Sequence, residues 1–417
     1  FETPSARFAS DVQPVYPADY CGVSAVLLDE GALRTVDRWY ADPGKAGQAP
    51  FGTEPVLDDD RPLAIDYARW RPQPGRRYFD KISFRPSFHP ADEYLLLQGP
   101  GVFCHGHRDA NAIARLTWRD RLWLIDQDYT RTSPAHHNSV HVVRDGHGAA
   151  YPPLASLERI CHFPGVGLTR TALREYNGAD WMRTIIWVQG RSFLILDDLD
   201  IREAGQYHID CVWRTLGQPT LNGNRLDVAQ SGYTLSLLGG SPAGHETWLT
   251  AVRPSPDLVL DAYPYASPEV QVLHQLQSGR WEEGQHIVFA NLIPEPVAWG
   301  VAEADLEPLG RGVWLFTAKG VTAVAGTPRE PLRAGRVEIE AEALYWDAER
   351  LCVAGCTRLL AGGHSLSSTV PFDADLDLRT GLGLMTMSIE AAVPACVGYS
   401  VGAALQPDPS PVHPDGL

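Results

Sequence analysis

Six of the fourteen histidines in this 417-residue chain lie between Gly101 and Gly148: His105, His107, His136, His137, His141 and His147. About a ninth of the chain therefore carries nearly half its imidazoles. Asp109, Asp126 and Asp128 stand among them. Imidazole and carboxylate in one stretch suit a divalent metal, proton transfer, or both.

The spacing sharpens this. His105, His107 and Asp109 alternate at i, i+2 and i+4, so on an extended strand they share one face. That face is half a metal site or a catalytic rim; a solvated polar strand is the plain alternative. Gly99, Gly101 and Gly106 point to a close backbone approach or a loop mouth. Trp123-Leu124-Ile125 reads as a buried strand that closes on Asp126, a turn former or a hard oxygen ligand. Asp128 is a weaker candidate. Tyr129 packs, or offers its phenol to a substrate. His136 and His137 are adjacent, so on a strand only one of them joins the site. His141 and His147 read as structural or solvated, and His162 and His208 as sheet residues.

These residues need elements to hold them, and the composition indicates which. Glycine (38) and proline (33) are both abundant, favouring short strands and turns over long helices. Strands are expected at Lys81 to Phe88, Tyr94 to Gln98, Ala112 to Trp118, Leu122 to Ile125 and Ser139 to Val143. A hairpin is expected from Arg183 to Leu196 around Gln189-Gly190-Arg191. Further strands follow at Tyr207 to Trp213, Leu226 to Val228, Thr234 to Leu238, Thr247 to Val252, Val270 to Leu276 and Gln285 to Leu292. The fold class is mainly β: a large antiparallel β-sandwich over 81–330, and a smaller C-terminal β unit with its tail over 331–417. Residues 1–80 form a short, partly helical N-terminal segment whose one good helix spans Asp29 to Ala41. The chain starts at Phe1, which reads as a processed or cut piece of something longer.

The net charge of −16 argues against a general nucleic-acid partner. No apolar run reaches membrane-spanning length, and no signal peptide is visible. Arginine outnumbers lysine 32 to 3, and arginine is the better fork for carboxylate and sulfate. The seven cysteines contain no CxxC pair and read mostly as small buried apolar residues, with room for one bridge. A Gly-x-Ser-x-Gly elbow and a Gly-rich phosphate loop are both absent.

Three stretches taken in order resemble the sandwich part of the heparinase II/III-like polysaccharide lyases. They are Cys104-His105-Gly106-His107-Arg108-Asp109-Ala110-Asn111-Ala112-Ile113, then Trp123-Leu124-Ile125-Asp126, then His137-Asn138-Ser139-Val140. Trp181 to Asp198 is similar to the family's next hairpin, and His286-Ile287-Val288-Phe289 to a late strand. The likeness covers roughly residues 81–300. It implies an α/α toroid ahead of the sandwich, of which the helix at 29–41 would be the remnant. It implies β-elimination on an acidic, uronate-containing polysaccharide, and a secreted, periplasmic or cell-surface location. It assigns His105 to the substrate cleft as the catalytic histidine, and His107, Asp126 and His137 to a divalent metal, commonly zinc. The toroid's proton-transfer residues would come from a separate helical chain or segment. Arg108, Asn111, Tyr129 and Asn138 are the local candidates for substrate binding. The competing reading is a non-catalytic glycan-binding or surface-assembly protein that reuses the sandwich.

Overall fold

The computed structural model describes residues 21–28, 72–101, 108–126, 133–148, 151–240, 245–252, 269–334, 337–361, 364–379 and 383–387. The helix expected at 29–41 and the C-terminal tail lie outside these residues. Among the described residues the chain is nearly all strand, and its one helical element is the 3-10 turn Pro134–His136.

The strands form three antiparallel nine-stranded sheets. The first runs in the order Gly22–Leu27, Phe79–Arg85, Tyr94–Gln98, Ile113–Trp118, Arg121–Ile125, Gly205–Leu216, Val270–Trp281, Glu246–Val252, and Val140–Arg144 also pairs with Gly205–Leu216. The second is centred on His286–Pro294, Ser192–Ile201, Ala179–Val188 and Val166–Tyr176. The third extends from Ala304–Gly310 to Gly383–Met387. It therefore runs across residue 331, where the sequence pattern suggests a boundary. Gly22–Leu27, within the segment expected to be partly helical, pairs with Phe79–Arg85 and forms an edge of the first sheet.

The second sheet lies between the other two, and alternation divides its side chains. Ile185, Trp187, Phe193 and Ile195 pack toward the first sheet with Phe84, Trp118 and Trp213. Ile186, Leu194 and Leu196 point the other way and pack with Phe316, Tyr345 and Ala354 of the third. Ala179–Val188 is consequently buried along its whole length. Each large side chain removed from water there contributes about 1.5–3 kcal/mol. The hairpin turn falls at Gln189-Gly190-Arg191 as expected, and Gly190 takes the left-handed conformation with φ 65°. A strand covered on both faces shows no polar alternation, which is why Val166–Tyr176 escapes a period-two search.

Cys161, Cys211, Cys352 and Cys356 are buried thiols, in keeping with an apolar packing role.

Candidate metal centre

Asp109, Asp126 and His137 come from three separate turns at one end of the first sheet. Asp109 lies in the connection that leads to Ile113–Trp118. Asp126 directly follows Arg121–Ile125, and its N–H donates to the Ala114 carbonyl at 3.0 Å. His137 closes the 3-10 turn, which Ser133 caps and Pro134 starts. One ligand atom from each of the three lies within 4.8 Å of the other two. His137 Nδ1 sits 2.5 Å from Asp126 Oδ1.

Local chemistry fixes each turn. Gln98 Nε2 donates to Asp109 Oδ2 at 2.6 Å, and the Gln98 carbonyl accepts from the Asn111 N–H at 2.8 Å. Asn111 takes a left-handed φ of 64°, which asparagine tolerates. A Cβ at Gly101 would stand 2.3 Å from the Ala110 backbone nitrogen, so glycine there lets the Asp109 turn pack down. Asn138 clamps the other two turns. Its Nδ2 donates to the carbonyls of Ile113 and Ile125 at 2.9 and 3.1 Å, and its Oδ1 accepts from the Arg214 N–H at 2.7 Å. Beneath them, Arg183 Nη1 donates to the carbonyls of both Asn111 and Asn138 at 2.9 Å.

Burial raises the energetic stakes. Burial pushes the Asp109 carboxyl up to about 7, with Asp126 adding to the rise while His137 and Lys81 oppose it. Burial alone would depress the His137 imidazole, but the Asp126 carboxylate, with help from Asp109, outweighs it and holds the ring above its ordinary value. A wholly buried imidazole between two carboxylates is a site for positive charge, whether that is a proton or a metal.

Of the residues singled out in the sequence, the structure brings together Asp109, Asp126 and His137. His105, His107 and Tyr129 lie outside the described residues. Arg108 is buried, and its Nε makes no hydrogen bond among the described residues. Asn111 and Asn138 are fully buried. The Asn111 Oδ1 accepts from Thr171 Oγ1 at 2.5 Å, and the Asn138 amide is committed at both ends to backbone. His136 is half-buried and stands apart from the cluster, whereas its neighbour His137 joins it. His208 is exposed and bonds Ser278. Gln98, Lys81 and Arg214 surround the site without having been singled out. Gln98 carried the best available signal, as the polar end of the apolar run Tyr94–Gln98.

No protein-family model matches the chain, and no curated relative does. Among solved structures it is similar to heparinase III, at 13% identity and a TM-score of 0.48, over 61% of this chain and 43% of that one. It is also similar to heparan sulfate lyase HepC from Pedobacter heparinus, at 13% identity and a TM-score of 0.48, over 79% of this chain and 53% of that one. The chain spans about half the length of these two proteins. No helix among the described residues is long and apolar enough to cross a membrane.

Proposed function

We propose that this chain is the sandwich portion of a polysaccharide lyase that cleaves uronate-containing glycans by β-elimination. The observation that carries the reading is the convergence of Asp109, Asp126 and His137. Each comes from a different one of the three motif stretches, and far-apart motifs that meet at ligand distance support a common task. Imidazole and carboxylate oxygen are a donor set that fits zinc. Asp126 and His137, with His107, would hold the ion, and Asp109 on its Gln98 support would complete the set. Once bound, such an ion would neutralise the buried carboxylates and tie their turns to the sheet.

Elimination breaks the C4–O bond of the uronate, removes the C5 proton, forms the C4–C5 double bond and returns a proton to the leaving oxygen. It also requires the sugar carboxylate to be neutralised. In this reading His105 faces the glycan and moves one of the protons. Arg108 is the fork for the uronate carboxylate, and Tyr129 offers its phenol to the sugar. Asn111 and Asn138 belong to the scaffold, since their buried amides already bond protein groups. A helical segment supplies the remaining proton-transfer groups, and a secreted, periplasmic or surface location fits such a substrate.

The test is ultraviolet absorbance of the unsaturated uronate product on a panel of uronate glycans, with the helical part supplied. We expect product from the native chain, and none from His105→Ala at unchanged metal content. Glycan binding without product from metal-loaded native protein would favour the non-catalytic reading.

A further inference from the structure

A second group of carboxylates and imidazole lies on the opposite face of the central sheet. Ser192–Ile201 contains Asp197, Asp198 and Asp200. Alternation turns Asp197 toward the first sheet, where it pairs with Arg183, and turns Asp198 and Asp200 toward the third. His286 is the direct cross-strand partner of Asp200. Directly opposed residues on neighbouring strands hold their Cβ atoms about 4.5–5.5 Å apart. The ligand atoms of Asp198, Asp200 and His286 all lie within 4.8 Å of one another.

A cation already sits against these groups. The Arg329 guanidinium, from the connection after Val321–Gly326, pairs with Asp198 through Nη2 and places Nη1 4.0 Å from Asp200. His286 Nδ1 bonds the Asp200 carboxylate. The cluster lines an open cleft of about 530 Å³ between the second and third sheets. Four carboxylates line that cleft, those of Asp198, Asp200, Glu340 and Glu342, against two guanidiniums, those of Arg170 and Arg329. Arg159 pairs with Glu342 from outside the lining, so the cleft keeps a surplus of one negative charge, and it has room beside the ligand atoms.

We propose that Asp198, Asp200 and His286 form a second divalent-metal site, independent of the first, in which Arg329 is the resident counter-cation that the metal displaces. One imidazole with two carboxylates suits a zinc- or manganese-like ion better than magnesium or calcium, which favour oxygen donors throughout. Two paired strands fix the donors before any ion arrives. Arg329 is on an irregular connection and is partly exposed, so its side chain has the cleft to move into. The alternative is a plain ion-pair network joining the two sheets. The two readings differ in what removal of Arg329 does. In a plain network, removing Arg329 creates no metal affinity. In an exchange site, it removes the competitor.

The experiment is zinc titration by calorimetry on the chelator-treated full chain, with circular dichroism to establish folding. Native protein should bind two equivalents. His286→Ala, at a side chain 43% exposed, should fold and bind one, as should Asp200→Asn. Arg329→Gln should keep both equivalents and bind the second several-fold to about tenfold more tightly. Native stoichiometry in His286→Ala, or no second equivalent in Arg329→Gln, would overturn the proposal. If His137→Ala loses an equivalent and His286→Ala does not, the first site stands and this one falls. If the native chain binds one equivalent that only His286→Ala removes, the reverse holds.

Discussion

The two carboxylate–imidazole clusters are built in opposite ways. Asp109, Asp126 and His137 sit on three turns, and their convergence depends on clamps: Gln98, Asn138 and the underlying Arg183. Asp198, Asp200 and His286 sit within two paired strands, and register alone brings them together. A turn-borne site is adjustable and fragile, because every turn needs its own polar support. A strand-borne site is rigid and persists as long as the sheet does. Substitutions in the clamps should therefore separate the two clusters.

The largest effect should come from Arg183, which ties the central sheet to the first cluster's turns. It and Asp197 are wholly buried, at 2.7 Å, and its Nη1 also supports the first cluster's turns. Arg183→Leu leaves Asp197 uncompensated inside the sandwich, and we expect a loss of about 3–5 kcal/mol in chemical denaturation. A loss under about 1 kcal/mol would show that the pair does not brace the molecule.

Asn138→Ala should come next and should discriminate. It strands two carbonyls and one N–H in the interior, each a loss of about 1–3 kcal/mol before relaxation. We expect a net cost of about 2–4 kcal/mol and loss of metal at the first cluster, with the second keeping its metal. Equal weakening of both clusters would erase the distinction drawn between them.

The pH dependence of the metal-free chain is a gentler probe. The folded-state values of Asp109 and His137 both lie above their ordinary ones. Groups raised in this way stabilise the fold while protonated, and that contribution fades as pH climbs through the window. For Asp109 the window runs from the ordinary carboxylate value to about 7. Urea midpoints of the chelated protein should therefore be higher at pH 5 than at pH 7.5. Added zinc should reverse the order, because it binds the deprotonated forms. Asp109→Asn, a permanent mimic of the neutral acid, should flatten the metal-free trend. A midpoint that rises with pH in the chelated native chain would contradict the assignment. The smallest effect should be at the exposed Arg280–Glu282 pair, remote from both clusters, where Arg280→Ala should change stability by less than about 0.5 kcal/mol and leave metal binding untouched.

The first cluster was largely legible in the sequence, because its residues fall in a histidine-rich stretch and its strands carry period-two or short apolar signatures. Tyr94–Gln98 matches the expected strand to the residue, and Arg121–Ile125 ends where expected. Asp109 was visible as the third member of the alternation with His105 and His107, but its partner Gln98 was not, because their contact depends on how the turn folds back. The second cluster was illegible for a different reason. Asp198 and Asp200 are separated from His286 by more than eighty residues, and only the pairing of Ser192–Ile201 with His286–Pro294 unites them. The strand Gly22–Leu27 was missed because six residues of GVSAVL, beside a Pro-rich stretch, look like loop until Phe79–Arg85 is placed next to them. The long hairpin of Arg350–Ala361 and His364–Asp377 was missed because burial on both faces removes alternation from much of Arg350–Ala361.

The most direct test of the metal centre is an anomalous difference map at the zinc edge, from crystals of the full chain grown with zinc. The account predicts a peak within bonding distance, about 2.0–2.2 Å, of a His137 ring nitrogen and an Asp126 carboxylate oxygen. A map with no peak among Asp109, Asp126 and His137, from protein shown to be folded, would contradict it.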